Sequence, residues 1–328
     1  MTPEHSRKQF PKTLLSHSLL IAVVLWASVP LSAQVKFDMQ GDHVSVLVGG
    51  KPFTDFYTGA AYPKPFLWPL RSVEGISVTR NFPLRIVPGE STDHPHHRGL
   101  FIGYGEINGL NFWENEDSYK ADNKGRIVIR RIGGMKDGKK SGTINALFEW
   151  HDAGGADIMD EDRTMVFYDE PDRRTIDFDI RFTAKVALNW ADTKEGFFAI
   201  RLADSMAEKN GGVMVNSEGA KGEKAVWGHQ AFWVDYSGKV EGQQLGITIL
   251  AHPSNPRFPP RWHSRAYGLF AVNPWGLKQF LNDESKGGGL TMQPRESMRL
   301  RYRVIIHGAN VVPLNVPDLF RDYISKVR

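Results

Sequence analysis

Apolar and polar residues alternate in short runs along most of the chain after residue 33, and Gly, Pro, Asn and Asp separate the runs. The clearest run covers residues 175–184, where Ile176, Phe178, Ile180 and Phe182 alternate with polar residues. A period of two with one apolar face is typical of a half-buried antiparallel strand. The same reasoning predicts further strands at 43–48, 53–57, 66–71, 76–79, 101–104, 110–113, 126–132, 143–151, 163–168, 197–202, 212–215, 231–236, 245–252, 266–272 and 298–307.

Helical periodicity is convincing only near the C-terminus. A helix is predicted to begin near Pro317, with Asp318 close to its positive end. A second, short helix is predicted at Gly276–Leu281. The apolar residues of the C-terminal helix recur on one stripe: Leu319, Phe320, Tyr323, Ile324 and Val327.

The many strands, the short turns and the lack of a βαβ rhythm predict an all-β fold. We expect a large antiparallel β-sandwich with a short C-terminal helix. No repeat of fixed period is found, which disfavours a propeller. No linker is apparent, so residues 34–328 are predicted to form a single β-sandwich domain, with two stacked β-subdomains as the alternative.

The first 33 residues predict a secretory signal peptide. Their start is basic, residues 14–31 are almost wholly apolar, and Ser32-Ala33 precedes Gln34 as an expected cleavage site. We therefore expect a periplasmic or secreted protein, with an uncleaved N-terminal anchor as the alternative. No later segment is apolar over a spanning length, so no membrane span is expected after signal cleavage.

Composition narrows the classes of partner. The chain has no cysteine, so an exported domain would depend on a sizeable hydrophobic core rather than on disulfides. The formal net charge is +4 over 328 residues and is spread without long runs, which does not predict a nucleic-acid partner. The nine tryptophans fill a large β core or line a sugar-binding cleft.

The densest chemistry lies in the stretch Asp93-His94-Pro95-His96-His97-Arg98-Gly99, which holds three of the chain's 11 histidines. Imidazole serves as a general acid, a general base or a metal ligand near neutral pH. We take His96 and His97 as catalytic candidates and Arg98 as a substrate-binding one. The alternative is a polar turn whose imidazoles only make hydrogen bonds.

Pro95 disfavours a helix at this stretch and favours an extended chain. In an extended chain His94 and His96 point to one side and His97 to the other, so at most two would enter one pocket. His94 and His96 also have a spacing suited to a divalent metal. No cofactor is otherwise required by the sequence.

Two later segments carry further candidates. In Asn216-Ser217-Glu218-Gly219, Glu218 is a candidate base, and the nearby Trp227 and His229 are candidates for substrate binding. Segment 252–265 is stiffened by four prolines between two strands. The alternatives are an ordinary turn and an ordered connection. Segment 252–265 provides the catalytic candidates His252 and His263 and the substrate-binding candidates Asn255, Arg257, Trp262 and Arg265.

Several known kinds of site are absent from the sequence. There is no cysteine nucleophile, no Gly-x-Ser-x-Gly motif, no Gly-rich phosphate loop and no dinucleotide-binding fingerprint. No carboxylate pair stands out for glycoside hydrolysis. Histidine chemistry is therefore the leading interpretation.

These motifs resemble a family of exported bacterial proteins of uncharacterised function, often labelled "methane oxygenase PmoA" or PmoA-like. The resemblance covers most of the chain after residue 33. A methane monooxygenase subunit of that name is a polytopic membrane protein, and this chain has no internal segment of spanning length. The resemblance thus implies a family rather than that activity. It is carried by residues 93–99, 108–113, 196–201, 216–219 and 252–257.

The resemblance also implies a distant relation to galactose-mutarotase-like β-supersandwiches. Such folds hold sugars in a groove on a large sheet, with His, Arg and a carboxylate as functional groups. An epimerase of this kind would pair His96 or His97 as acid with Glu218 as base.

We therefore predict an exported carbohydrate-active enzyme that uses histidine acid/base chemistry, of epimerase, lyase or hydrolase type. Its substrate would be a small molecule or an oligosaccharide. One alternative is a non-catalytic carbohydrate-binding protein, with an aromatic platform and dispersed histidines. Another is a copper-type metal-binding oxidoreductase, with three converging imidazoles. The decisive question is whether loops 93–99 and 252–265 meet in space.

Overall fold

A computed structural model describes Met1, residues 34–308 and residues 315–326, and the predicted signal peptide lies outside these residues. Strands dominate, which confirms the all-β prediction. The strands are β1 Val35–Gln40, β2 His43–Val48, β3 Lys51–Tyr57, β4 Phe66–Trp68, β5 Leu100–Tyr104, β6 Arg126–Lys136, β7 Ser141–His151, β8 Asp157–Asp169, β9 Arg173–Ala184, β10 Leu188–Trp190, β11 Gly196–Arg201, β12 Val213–Asn216, β13 Trp233–Val240, β14 Gln243–Ala251, β15 Arg261–Trp262, β16 Leu269–Asn273, β17 Leu290–Met292 and β18 Ser297–Gly308.

Helices are short and few in the described residues. The α-helices are α1 Glu223–Val226, α2 Leu277–Leu281 and α3 Val316–Lys326. The predictions of a short helix near 276–281 and of a C-terminal helix are confirmed. None of these helices has the length and apolar character needed to cross a membrane. Single 3-10 turns occupy Asp204–Met206 and Glu208–Asn210.

Two eight-stranded antiparallel sheets form the body of the fold. The first sheet has the order β1-β2-β3-β4-β5-β11-β16-β15, and the second has the order β12-β13-β14-β18-β9-β8-β7-β6. The short strands β10 and β17 pair separately. Every pairing between these strands is antiparallel, as the alternating pattern predicted.

The main hydrophobic core lies between the two sheets. Phe198 of the first sheet packs at 4.9 Å from Phe178 and 4.8 Å from Tyr302, both in the second sheet. All three side chains are almost completely buried. A β-sandwich is the arrangement that buries one apolar face of each sheet against the other.

The opposite face of the first sheet carries a smaller apolar cluster. Phe101, Ala199 and Ala271 lie in register on three adjacent strands, and each alternates with residues that face the main core. Loop residues pack over them, including Trp113 and Tyr267. Because side chains alternate along a strand, this second face can hold a site without disturbing the core.

Helix α3 packs against the outer face of the second sheet. Val316 and Tyr323 contact Leu250 and Ile305, and the predicted stripe faces the sheet. Of that stripe, Val327 lies outside the described residues. The amphipathic pattern therefore predicted both the helix and the side that it buries.

Some predicted strand boundaries are wrong. Residues 76–79 and 110–113 make only isolated bridges, because their backbone groups bond into turns and to neighbouring loops. The hairpin of β6 and β7 is longer than predicted and includes part of the Gly- and Lys-rich tip. Register shifts after Ile129 and Ile132 accommodate the extra residues of β6.

Candidate functional site

The histidine-rich stretch forms a tight turn rather than an extended chain. The backbone N–H of His97 donates to the carbonyl of His94 at 3.0 Å, with Pro95 in the second position of the turn. His94 has a φ of +44°. The prediction of opposite-facing histidines is therefore wrong, because the turn folds the chain back on itself.

All three rings of the turn consequently come together. The ring centroids of His94 and His96 lie 5.6 Å apart, those of His96 and His97 4.1 Å, and those of His94 and His97 4.9 Å. Gly99, two residues after His97, has a φ of +51°, and a Cβ there would lie 2.1 Å from the carbonyl oxygen of Leu67. Glycine is thus needed where the turn rejoins β5.

Two fully buried arginines, Arg80 and Arg201, fix the position of the turn through Asp93. Arg80 Nη1 lies 2.6 Å and Arg201 Nη2 lies 2.7 Å from the same oxygen, Asp93 Oδ1. Arg80 also donates to the backbone carbonyl of His94 at 2.9 Å. A carboxylate shared between two guanidinium groups fixes the position of the turn and offsets part of their buried charge.

The same arrangement sets the ionisation of Asp93. Burial acts to raise the pKa of Asp93, but Arg201, the hydrogen bond with His94 and the contact with Arg80 together lower it below its usual value. Burial lowers the pKa of Arg80 to about 10 and also lowers that of Arg201. At neutral pH the carboxylate is therefore ionised and both guanidinium groups are charged.

His96 and His97 are buried and neutral. Burial, followed by the nearby cations, lowers the pKa of His96 to about 2, and burial lowers the pKa of His97 well below its usual value. The Tyr119 hydroxyl lies 2.6 Å from Nδ1 of His96, and Arg201 donates to Nδ1 of His97 at 3.4 Å. These two rings are held in fixed orientations and do not take up a proton near neutral pH.

His94 differs from its neighbours because its side chain is 40% exposed. Its Nδ1 lies 3.2 Å from Asp93 Oδ1, which leaves Nε2 on the far edge of the ring. Its ring is nearly parallel to those of His97 and Tyr267, at 4.9 and 5.0 Å. A carboxylate beside one nitrogen of a partly exposed imidazole is the arrangement of an oriented acid/base histidine.

Tyr267 is the contact point between the turn and the later loop. Its ring lies 4.8 Å from the guanidinium carbon of Arg201 and 5.7 Å from that of Arg265. Burial raises the pKa of Tyr267 to about 12 against the opposing effect of both arginines. The phenol is therefore protonated at neutral pH and available as a donor.

The end of the loop 252–265 reaches the same face of the first sheet. His263 follows Trp262, which faces the main core, so His263 faces the histidine turn's side of the sheet. Its backbone N–H donates to the carbonyl of Ala271 at 2.8 Å. Burial lowers the pKa of His263 to about 3, and its ring lies 6.3 Å from that of Trp227.

The start of that loop lies elsewhere. The ring of His252 packs 5.4 Å from Tyr323 of α3, and its Nδ1 lies 2.7 Å from Ser254 Oγ. The Asn255 side chain donates to the carbonyl of Arg301 and accepts from its N–H. Both side chains connect the loop to β18 and α3. The catalytic role of His252 and the binding role of Asn255 stay predictions.

Arg257 and Trp262 make structural contacts in the loop region. The guanidinium of Arg257 donates to the backbone carbonyls of Gly288 and Gly289. Trp262 is fully buried in the main core and donates to the carbonyl of Ala231 at 3.1 Å. Their substrate-binding roles stay predictions.

The predicted base Glu218 is exposed in a turn, where it accepts a hydrogen bond from the hydroxyl of Ser217. Its backbone N–H donates to Oδ1 of Asn216 at 3.0 Å, so the contacts of Glu218 are local to this turn. Its pairing with His96 or His97 stays a prediction. His229 is exposed, with Nδ1 3.1 Å from the carbonyl of Trp227. Trp227 itself is half-buried beside His263 and Arg265.

Arg98 is engaged in a charged cluster beneath the turn. Its Nη1 lies 2.6 to 2.7 Å from both carboxylate oxygens of Glu116. The adjacent Lys64 is buried and donates to the carbonyl of Trp113 at 2.8 Å, and burial lowers the pKa of Lys64 to about 7. Arg98 therefore connects the turn to the segment that carries Glu116. Its role as a substrate-binding group stays a prediction.

The described residues contain one set of three donor atoms within 4.8 Å of one another, formed by Glu149, Asp157 and Asp160. Lys185 already contacts two of these carboxylates. The histidine turn does not form such a set, and a metal held by His94 and His96 stays a prediction.

Sequence reasoning missed the residues that organise the turn. Arg80, Arg201, Tyr119 and Tyr267 converge on it from four separate segments. One signal was present, since Arg201 is a lone charge at the end of an otherwise apolar strand. Long-range convergence of the others depends on the order of strands in the first sheet, which residue patterns do not specify.

Comparison with known proteins gives one family match. The model of DUF6807, a family of unknown function, matches residues 43–321. This description gives no support to the PmoA label. Comparison by sequence with proteins of described function gives no match.

Solved structures with a similar fold include carbohydrate-processing enzymes. An α-galactosidase of Lactobacillus brevis has a TM-score of 0.41, 10% identity, and coverage of 84% of this chain and 39% of its own. A GH36 α-galactosidase of Geobacillus stearothermophilus has a TM-score of 0.35, 13% identity, and coverage of 84% and 40%. A putative aldose 1-epimerase of Escherichia coli K12 has a TM-score of 0.36, 10% identity, and coverage of 84% and 99%.

The chain thus spans about two fifths of the length of the α-galactosidases and nearly all of the putative epimerase. At these TM-scores the neighbours identify no activity for this chain. The site itself must carry any argument about function.

Proposed function

The chain belongs to the DUF6807 family of unknown function, and from that premise we propose that it is a carbohydrate-active enzyme. Its acid/base group would be His94, oriented by Asp93. One observation carries the proposal: the half-exposed His94 has Nδ1 3.2 Å from a carboxylate that two buried arginines hold in place. We also propose export to the periplasm or cell exterior, on the pattern of residues 1–33.

His94 is favoured over its neighbours by exposure and charge. A general acid or base must exchange a proton with the substrate, which requires access and a pKa near the working pH. His96 and His97 are both about 1% exposed, and burial holds both in the neutral form. Their proposed role is therefore to position His94 and to bind substrate, in place of the acid role predicted from the sequence.

Two buried ring nitrogens support a ligand with hydroxyl groups. His97 Nε2 and His263 Nδ1 have no hydrogen-bond partner among the described residues. An unpaired buried polar atom costs about 1–3 kcal/mol, which a ligand hydroxyl at hydrogen-bonding distance would offset. Sugar hydroxyls both donate and accept, so they suit neutral imidazoles.

Aromatic rings surround the proposed site, as expected for a sugar pocket. Tyr267 lies parallel to His94, Tyr119 contacts His96, and Trp227 stands beside His263. Aromatic faces pack against the C–H faces of a sugar ring while polar groups at the edges bind its hydroxyls. In this scheme the Tyr267 phenol donates a proton or hydrogen bond opposite His94.

The convergence of the three histidines favours an enzyme over a binding module, which would show dispersed histidines. The copper-type alternative also predicts three converging imidazoles, so the convergence of the rings does not separate it from the proposal. In the described residues the three histidines do not form a set of donor atoms within 4.8 Å of one another. Metal analysis of the purified protein separates the copper-type alternative from the proposal, because bound copper required for activity would favour the oxidoreductase.

The proposal is tested by screening mono- and oligosaccharides for mutarotation, unsaturated products and new reducing ends. Once a substrate is found, His94→Gln is expected to lower turnover about 10²–10⁴-fold, since that is the usual contribution of a general acid or base. His151→Gln is the matched control, because His151 lies on β7 of the second sheet and not on the sheet that carries the turn. Unchanged turnover in a folded His94→Gln variant would refute the assignment.

A further inference from the structure

Arg265 differs from the other arginines around the histidine turn. Its Nε lies 2.7 Å from Glu223 Oε1, and its guanidinium carbon lies 5.7 Å from the Tyr267 ring and 5.9 Å from the Trp227 ring. No partner is found for its two Nη atoms among the described residues. The side chain is 32% exposed.

The remaining arginines are already occupied. Arg80 and Arg201 are fully buried and share Asp93, and Arg98 is bound to Glu116. Arg265 is therefore the arginine of this group that is about one third exposed and has no hydrogen bond at its Nη atoms among the described residues. The contact with Glu223 is an ion pair without hydrogen-bond geometry at Nε. A guanidinium has five N–H donors, so the two Nη groups can still bind a carboxylate.

Glu223 fixes the direction of the Nη edge of Arg265. Its second carboxylate oxygen accepts the backbone N–H of Ala266 at 2.5 Å, which ties the carboxylate to the loop that carries Arg265. The nearby rings of Trp227 and Tyr267 limit the movement of the guanidinium further. The paired Nη donors of a guanidinium held in this way match the two oxygens of a carboxylate better than they match a single hydroxyl.

The Nη edge lies next to the proposed acid/base group. Tyr267 contacts Arg265 on one side and lies 5.0 Å from His94 on the other. His263 also lies within electrostatic range of both Arg265 and His94. A ligand seated at Tyr267 would therefore meet the Nη edge of Arg265 and the imidazole of His94 together.

We infer that the substrate is an acidic sugar, a uronic acid or an oligosaccharide that contains one, whose carboxylate binds the Nη edge of Arg265. This inference rests on the proposed function, because it assumes that the histidine turn acts on carbohydrate. It names Arg265 as the specificity-determining residue for charge. It also narrows the substrate from sugars in general to those with a carboxylate.

The test compares acidic and neutral sugars that differ only in the carboxylate. Full-length protein is titrated calorimetrically with D-glucuronate against D-glucose, D-galacturonate against D-galactose, and trigalacturonate against galactotriose. At least one acidic member is expected to bind about 10- to 100-fold more tightly than its neutral counterpart, the range for hydrogen bonds to charged groups.

In Arg265→Gln the ratio of acidic to neutral affinity is expected to fall close to one. Arg321→Gln is the matched control, because it removes the same charge from the exposed surface of α3 and should leave the ratio unchanged. Arg265→Lys keeps the charge without the paired Nη donors and is expected to retain only part of the preference. Arg265→Lys also allows the ratio of acidic to neutral affinity to be measured if Arg265→Gln does not fold.

Equal binding of acidic and neutral sugars by the natural protein would overturn the inference, as would a preference that survives in Arg265→Gln. If neutral sugars are bound and turned over through His94, the inference fails and the proposed function stands. If no sugar of either kind is bound and His94→Gln changes nothing, both fail.

Discussion

His94 and His97 are three residues apart, yet their surroundings give them different chemistry. His94 is half-exposed beside a carboxylate, whereas His97 is buried and neutral beside Arg201. The sequence predicted His97 as a catalytic group and His94 only as a metal ligand. Exposure and the charge of the nearest partner decide which ring exchanges a proton, and both depend on the turn geometry.

Asp93 carries the first prediction at this scale. Asp93→Asn removes the negative charge between Arg80 and Arg201 and is expected to lower the free energy of unfolding by about 3 kcal/mol at pH 7. This is the lower end for a broken buried pair, because Asp93 is 40% exposed. Urea denaturation measures the change, with Asp122→Asn at an exposed position as control.

The sign of the pH dependence gives a second check on Asp93. Its folded pKa is lowered, so the stability it provides is present above the unfolded value of about 3.9 and is lost as pH falls through the folded value. The difference between natural protein and Asp93→Asn should shrink in strong acid. A difference that stays constant down to pH 2 would contradict this role.

At the scale of elements, strand alternation predicted much of the fold. The hairpin β8–β9, the two faces of each strand and the docking side of α3 follow from apolar periodicity. Loop conformations did not follow from it. Pro95 predicted an extended chain, because proline restricts the residue before it. The structure instead has a turn, closed by the hydrogen bond from the His97 N–H to the His94 carbonyl, which local preference does not predict.

The predicted pairing of loops was half correct for a related reason. The end of loop 252–265 comes to the sheet that carries the turn because β15 joins the edge of the first sheet beside β16. The ring contact with the turn is made by Tyr267, two residues beyond the loop. Its start follows β14 of the second sheet and remains with α3. A proline-rich segment that connects two sheets distributes its polar residues between two sites, and sequence spacing gives no sign of the division.

Gly99→Ala tests the joint between the turn and β5. The residue has a φ of +51°, and its new Cβ would meet the Leu67 carbonyl at 2.1 Å. We expect at least about 2 kcal/mol lower stability, from the left-handed backbone and the clash together. Gly109→Ala is the control, with a φ of +76° and no atom within 4 Å, so it isolates the backbone cost. Equal losses in thermal melts of the two variants would contradict the proposed clash.

At the scale of the whole molecule, several buried neutral histidines make stability depend on pH. Burial lowers the pKa of His96 to about 2 and that of His263 to about 3, and it lowers that of His97 as well. The unfolded chain binds protons at these positions below about pH 6.5, and the folded chain does not. Acidification therefore favours the unfolded state.

We expect the free energy of unfolding to fall by about 1.4 kcal/mol per pH unit for each such histidine between about pH 6 and pH 4. Denaturant titrations at pH 7.5, 6 and 5 measure the total slope. His96→Gln should reduce the slope by one histidine's share. An unchanged slope in His96→Gln would show that His96 is protonated in the folded protein.

The left-handed backbone of His94 lowers the stability of the fold, whereas the His94 side chain is the proposed acid/base group. Glycine or asparagine adopts a φ of +44° more readily than histidine, by about 1–2 kcal/mol for glycine. Engineering guided only by melting temperature would therefore favour His94→Gly and remove the proposed acid/base group. Thermostable variants of this protein should therefore be sought at positions other than residue 94. A variant of residue 94 that melts at a higher temperature but is inactive would show that histidine at this position lowers stability and is needed for activity.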